Sequence, residues 1–393
     1  MYKKFLVIKL RHIGDVLLTT PVFKTLKENL PNSFIAALVN KGTEAVLEKN
    51  PYIDQIITYD REIKKLPAFK RYIDEIRFLR NIKKIGFDTT IDLTGGDRAA
   101  VISYFSGAKT RIGIKSKGFF GKKHLYTRIF EINGHKHTLL QNLEVLEKIG
   151  LKIGKPELFL NVTEDEKTLA KNLIFPRHSE PHLCHSEQMR GIPSSNKKII
   201  HIHPTSRWLF KCWKDEYMAE VIKWLISNGH RVVLTSSADE RELKKIESIL
   251  SYIPSCHYEP FGYSQDGSSI INLAGKLTLR QLIAVAALCD IYFGIDTAPM
   301  HIAAALGKPV VALFGPSGAF HWGPWDNEAV ENPYSQKNGI QRFGKNIVIQ
   351  RNWSCIPCGQ DGCGGSKISK CLFDIKPDEV IEILKTVLSG NIQ

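Results

Sequence analysis

Residues 286–317 read AALCDIYFGIDTAPMHIAAALGKPVVALFGPS. The apolar, β-prone run 290–295 predicts a short buried strand. The chain then turns at Asp296-Thr297, and Pro299 stands where a first helical position falls. Proline is tolerated there because its missing N–H has no intrahelical role, and Thr297 suits an N-cap. Residues 300–306 predict a brief apolar helix stopped by Gly307 and Pro309, and 310–314 a second buried strand closed by Gly315-Pro316-Ser317. Strand, helix and strand within about thirty residues make a parallel βαβ unit. The ligand crevice of such a unit lies at the carboxyl ends of its strands. A helix start there offers N–H groups and a partial positive charge, suited to phosphate or pyrophosphate. Taken singly, Asp296 reads equally as a turn former and His301 as a satisfied core histidine. Grouped around one helix start between two buried strands, Asp296, Thr297 and His301 predict a ligand site whose ligand stays unnamed.

The chain's 393 residues exceed one ordinary core and predict two α/β domains. A hydrophobic content of 43% with 24% charged residues is globular rather than disordered. No apolar run is long enough to span a bilayer; the longest, 282–295, is interrupted by Asp290. The start, MYKKFLVIKLRHIGD, reads as a first strand and not as a signal peptide. Lys plus Arg outnumber Asp plus Glu by 54 to 40, a net +14 that calls for an anionic partner. The excess is concentrated: 109–128 carries basic residues and no acidic one, and 61–84 is a second basic-rich stretch. Such surfaces suit nucleic acid, anionic lipid or a phosphorylated substrate, or simply keep a protein soluble. Few aromatics are read as interleaved with these charges and no nucleic-acid module is recognisable, so no nucleic-acid partner is expected.

In order along the chain, strands are predicted at 5–9, 34–39, 53–59 and 89–93, with helices at 21–30 (from as early as Gly14) and 71–84. This alternation predicts a first α/β domain over 1–174. Residues 175–197, rich in Pro, Ser and His without periodicity, read as a linker or surface excursion. The second domain, 198–374, opens with a strand at 199–203. It continues through a helix at 215–228, a strand at 231–235 and helices at 239–250 and 278–287. A helix at 377–388 lies within the closing segment 375–393.

Two further loops follow strands, where α/β domains place ligands. In Arg11-His12-Ile13-Gly14-Asp15, Gly14 permits a tight backbone and Asp15 projects a carboxylate. It suits a general base taking a proton from an alcohol late in its attack, or a capping residue. In HPTSRWLFKCW, the hydroxyls of Thr205 and Ser206 with the Lys211 ammonium suit a phosphate leaving group. Glu240 is placed like an acid that binds ribose hydroxyls, though Glu in a first helical turn is also common for dipole reasons. There is no G-x-G-x-x-G, no Walker loop and no Asp-x-Asp pair. Leaving-group charge must then be met by Lys211, hydroxyls and helix ends rather than by a metal ion, and no cofactor is expected.

Eight cysteines without a signal peptide point to a reducing cytosol. Cys184, Cys212, Cys256 and Cys289 are scattered and expected to be buried. Cys355, Cys358, Cys363 and Cys371 cluster among glycines as a candidate structural zinc knuckle, or as a loop of free thiols. His178, His182, His185 and Cys184 lie in the irregular segment, with spacing unsuited to metal.

Three separated stretches carry a resemblance: KLRHIGDVLLTTPVFKTLK (9–27), HPTSRWLFKCW (203–213) and DTAPMHIAAALGKPVVALFGPS (296–317). In this order they resemble the ADP-heptose:lipopolysaccharide heptosyltransferases of glycosyltransferase family 9, across nearly the whole chain. DLTGGDRAA (92–100) and DGCGGSKISKCL (361–372) look most like the heptosyltransferase III branch, which adds a side-branch heptose to the inner core. The resemblance implies a GT-B architecture, two Rossmann-like domains facing a central cleft, with acceptor bound by the first and ADP-heptose by the second. Closure of the two would exclude water. It implies inverting, metal-independent transfer to the lipopolysaccharide inner core, in the cytoplasm at the inner face of the inner membrane. Asp15 matches the family's proposed base. Thr205, Ser206, Lys211, Glu240, Asp296, Thr297 and His301 fall on its donor-binding positions, and Leu277 where an apolar residue meets adenine. The chain departs at Ala298-Pro299, where Gly-Leu is usual, and has one extra residue between Thr205 and Lys211.

Overall fold

The computed structural model describes residues 3–175, 197–254 and 270–390, and its chain divides into two compact units. The first runs to Asn161 and includes Asn327–Asn332. Its strands are β1 (Lys4–Lys9), β2 (Phe34–Asn40), β3 (Gln55–Tyr59), β4 (Thr89–Asp92), β5 (Thr110–Ile114) and β6 (Arg128–Phe130). All are parallel, in the order β3-β2-β1-β4-β5-β6, that of a Rossmann sheet. The central strand β1 is an almost unbroken apolar run because helices cover both its faces. Leu6 and Ile8, two residues apart, enter one core with Ile82 of helix Ala68–Ile85 and Ile102 of helix Asp97–Phe105. The first of these helices ends at Gly86, whose φ of 72° is the left-handed cap that glycine adopts without strain. Neither Thr19 nor Thr20 caps helix Thr20–Asn29 with its side chain. Their hydroxyls donate back to the carbonyls of Val16 (2.6 Å) and Leu17 (2.9 Å), joining helices Ile13–Leu17 and Thr20–Asn29.

The second unit comprises Val162–Asp326 and the chain from Pro333 onward. Its strands are β7 (Ile199–His203), β8 (Arg231–Leu234), β9 (Ile270–Asn272), β10 (Ile291–Ile295), β11 (Val310–Leu313), β12 (Gln341–Phe343) and β13 (Asn346–Ile349). Their order is β12-β13-β11-β10-β7-β8-β9, parallel except for the β12–β13 hairpin. Ile200, Ile202, Phe293 and Ile295 form the floor of a core roofed by helices Asp215–Ser227 and Pro377–Leu388. The closing helix is thus part of this unit, burying Val380, Leu384 and Val387 at i, i+4 and i+7. Gly294 lets β10 pass close to β7, since a Cβ there would lie 2.7 Å from the His203 carbonyl oxygen.

The domain boundary falls earlier than the sequence suggests. Helix Glu164–Ile174, read with the first domain, belongs to the second unit. Its Ala170 and Ile174 bury against Leu273, Val285 and Cys289, and its Glu166 pairs with Arg280 at 2.6 and 2.9 Å. The excursion at 175–197 lies almost wholly outside the described residues, as do His178, His182, His185, Cys184 and Cys256.

Candidate active site

In the second unit, four loops leave the carboxyl ends of β7, β8, β10 and β11. Thr205, buried after β7, donates its hydroxyl to Glu242 Oε2 at 2.7 Å, and the Ser237 N–H after β8 donates to the same oxygen at 3.3 Å. Ser206 Oγ accepts the Trp208 N–H at 3.1 Å. Lys211, at the end of the turn Leu209–Lys211, reaches Asp296 Oδ2 at 2.5 Å. Asp296 follows β10 and its N–H donates to the Leu313 carbonyl of β11 at 3.1 Å. Burial pushes the Asp296 carboxyl up. The Lys211 ammonium, the Ser317 hydroxyl and the charge of His301 outweigh that, and the group is held below its ordinary value.

Thr297 occupies the N-cap position of helix Ala298–Ala305, with an extended backbone (φ −147°, ψ 172°). Its hydroxyl donates instead to the Ile295 carbonyl at 3.3 Å, so the expected side-chain cap is not made. The first-turn amides are therefore uncapped by a side chain, as an anion site requires. Pro299 lies in the first turn as expected, and His301 is buried on the same helix.

Helix Glu240–Ser251 opens with two acids, Glu240 and Glu242. Glu240 is exposed, whereas Glu242 is buried with Ile246 and Ile249 on the inner stripe. The signal was the i, i+4, i+7 spacing of 242, 246 and 249, which turns 240 outward. Leu277, in the turn after β9, is half-buried against the cluster that holds Leu273 and Val285. The structure thus brings Thr205, Lys211, Asp296, Thr297 and His301 to the carboxyl edge of one sheet, and supplies Glu242 and Ser317 in addition.

Beneath that edge lies a polar network with no sequence signal. Thr235 Oγ1 lies 2.8 Å from His201 Nε2 and 2.9 Å from His203 Nδ1, all three groups buried. One hydroxyl proton cannot serve both rings, so at least one histidine is the donor. Burial lowers His201 to about 3, with His203 adding to the effect. Burial lowers His203 as well, against the opposing charge of Glu242. Above the ordinary histidine range both rings are neutral, folded or unfolded, and nothing depends on pH. As pH falls below about 6.5, the unfolded chain takes up protons that the fold refuses, and each ring removes up to about 1.4 kcal/mol of stability per pH unit. Denaturant titrations between pH 7.5 and 5 are expected to show this loss, and His201→Gln to reduce its slope. An unchanged slope in the variant would refute the assignment.

In the first unit, Asp15 lies half-buried in the first turn of helix Ile13–Leu17, directly after β1. It is not the cap; His12 holds that position. The loop is pinned on both sides. Leu10 N–H donates to Thr94 Oγ1 at 2.8 Å, Arg11 donates to the Thr94 carbonyl at 2.9 Å, and Asn40 donates to the Arg11 carbonyl at 3.0 Å. Lys9 is buried, donating to the Leu93 carbonyl and to Asn142 Oδ1, each at 3.0 Å. Burial lowers Lys9 to about 8, while the nearby carboxylates Asp15 and Asp92 act to raise it. Asp92 shapes the adjoining turn by accepting from Tyr126 Oη (2.5 Å) and the Thr94 N–H (2.7 Å). Burial raises its carboxyl above the ordinary value in spite of these bonds. Asp15 thereby stands on a braced loop at the end of β1, near enough to Lys9 for their charges to interact.

Of the cysteines expected in the core, Cys212 and Cys289 are buried. Cys355 and Cys358 are exposed, Cys363 is half-buried and Cys371 is buried. Burial pushes the Cys371 thiol up to about 11, and the neighbouring Cys363, Cys358 and Cys355 add to the effect. Among the described residues, no group of three or more His, Cys, Asp or Glu is arranged to hold a metal ion.

Residues 76–346 match glycosyltransferase family 9 (heptosyltransferase). The chain is 28% identical over 328 residues to lipopolysaccharide heptosyltransferase 3 of Escherichia coli K12, covering 82% of this chain and 85% of that one. Among solved structures, a family 9 glycosyltransferase from Veillonella parvula superposes with a TM-score of 0.74 at 22% identity, covering 99% of this chain and 98% of its own. The E. coli ADP-heptose lipopolysaccharide heptosyltransferase II superposes with a TM-score of 0.71 at 21% identity, covering 99% and 100%. The two Rossmann-like units are thus those of a GT-B fold.

Proposed function

The chain belongs to glycosyltransferase family 9, and from that membership we propose that it transfers heptose from ADP-heptose to the inner core of lipopolysaccharide, as a heptosyltransferase III-like enzyme. The observation that carries this reading is the Lys211–Asp296 pair beside Thr205, Ser206 and an uncapped helix start, at one edge of a Rossmann sheet. These groups suit a diphosphate without a metal ion. Glu240, exposed in the first turn of the next helix, takes the ribose hydroxyls, while the buried Glu242 braces Thr205 and the Ser237 N–H behind it. Leu277 meets the adenine and His301 supports Asp296.

In the reaction, an acceptor hydroxyl attacks the anomeric carbon with inversion. The new carbon–oxygen bond forms as the bond to ADP breaks, and ADP leaves with the electron pair. Asp15 takes the hydroxyl proton, and the carbon passes through an oxocarbenium-like state. Lys211, the two hydroxyls and the first-turn amides of helix Ala298–Ala305 meet the charge on departing ADP. The basic stretches 61–84 and 109–128 hold the anionic, lipid-linked acceptor at the cytoplasmic face of the inner membrane. Among the described residues, no helix is long and apolar enough to cross a membrane.

Incubation with ADP-heptose and defined truncated core acceptors, with and without EDTA, tests the reading. A product one heptose heavier, inverted at the new linkage and formed equally with chelator, is expected. Transfer only from another nucleotide sugar, or donor binding without transfer to any core acceptor, would overturn it.

A further inference from the structure

Helix Ala68–Ile85 has two apolar stripes. Its carboxyl-terminal half packs Phe78, Leu79, Ile82 and Ile85 into the first unit's core. Its first two turns carry Phe69, Tyr72 and Ile73, at i, i+3 and i+4, and all three are exposed, Phe69 to 78% and Tyr72 to 67%. A second site repeats the pattern. In KSKGFFGKK (115–123), Phe119 is exposed and Phe120 entirely so, at 104%. That loop is braced from below. Lys122 is buried, and its ammonium donates to the Gly95 carbonyl (2.6 Å), Ser116 Oγ (2.8 Å) and the Lys117 carbonyl (3.0 Å). The sequence reading that few aromatics stand among the charges is therefore wrong where it matters, at these exposed tips.

Both sites lie on one edge. In an all-parallel sheet every loop that follows a strand leaves from the carboxyl edge. The start of helix Ala68–Ile85 follows β3, residues 115–123 follow β5, and Asp15 follows β1. Lys64, Lys70, Arg71, Lys117 and Lys123 flank the aromatics and are exposed. Aromatic rings with basic neighbours are the composition of a surface that rests in the lipid headgroup region, rings down and cations on phosphates.

We propose that this edge of the first unit docks on an anionic lipid bilayer, with Phe69, Tyr72, Phe119 and Phe120 entering the headgroup boundary. A lipid-linked acceptor would then meet the protein at the edge that carries Asp15. The proposal rests on the membrane-peripheral reading above but not on transfer, and its test reads binding alone.

The full chain is to be sedimented with vesicles of phosphatidylcholine alone and of phosphatidylcholine with phosphatidylglycerol, at low and high salt. Binding to the anionic vesicles only, weakened at least tenfold by 0.5 M NaCl, is expected. Phe69→Ser with Phe120→Ser should lower that binding about tenfold, with the circular dichroism spectrum and ADP affinity unchanged. Absence of binding, equal binding to neutral vesicles, or undiminished binding by the variant would each overturn the proposal. So would retention on single-stranded RNA but not on vesicles. Loss of transfer with binding intact would instead indict the proposed function and leave the docking surface standing.

Discussion

Asp15→Asn is expected to lower kcat for heptose transfer by about two to four orders of magnitude, the usual range for a positioned general base, while ADP affinity stays unchanged. The amide has nearly the shape of the carboxylate, and the loop around it is held by Leu10, Arg11 and Asn40 through bonds that do not involve Asp15. Misfolding therefore offers no rival account. The substitution has a second readout. Asp15 is a negative charge acting to keep Lys9 protonated, so its removal should lower Lys9 further, visible as a displaced titration of that amine. Turnover above about a tenth of wild type would remove Asp15 from the role of base.

Lys211→Ala carries the other large effect, on stability as well as binding. Asp296 is buried and Lys211 is its closest ammonium, at 2.5 Å. Removing one partner strands the other charge, at a cost of about 3–5 kcal/mol. Without Lys211, burial regains control of the Asp296 carboxyl, which moves upward. ADP affinity should fall at the same time, because the ammonium proposed to meet the diphosphate is gone. The double variant Lys211→Met with Asp296→Asn separates the two effects, regaining much of the stability but not the affinity. Denaturant midpoints and calorimetric ADP titrations provide the measurements. A single variant as stable as wild type, or one binding ADP unchanged, would contradict the pairing or the contact respectively.

The residues that sequence placed well are those governed by local rules. β1 and β10 are short apolar runs with β-branched content, and both form where expected. Pro299 sits in the first turn of its helix, as its backbone preference dictates. The failures share a different cause. Thr297 has two acceptable partners, and only the fold decides that its hydroxyl turns back to Ile295. Glu242 carries no mark of its bond to Thr205, because the two lie 37 residues apart and meet only in the fold. Helix Glu164–Ile174 carries no mark of which unit it joins until Arg280, more than a hundred residues away, appears beside Glu166. The hairpin of β12 and β13 went unread because three- and four-residue strands leave too few alternations to show a period. The His201–Thr235–His203 network was invisible for the same long-range reason.

Both sheets place the first strand of their unit between its second and fourth, β1 between β2 and β4 and β7 between β8 and β10. At that strand the winding reverses direction, and the loops on either side part to leave a notch. Asp15 stands at one such reversal and Thr205 at the other. Each half therefore owns a complete crevice made from its own connections, so that mutation can retune what one half recognises while the other half's chemistry is left as it was.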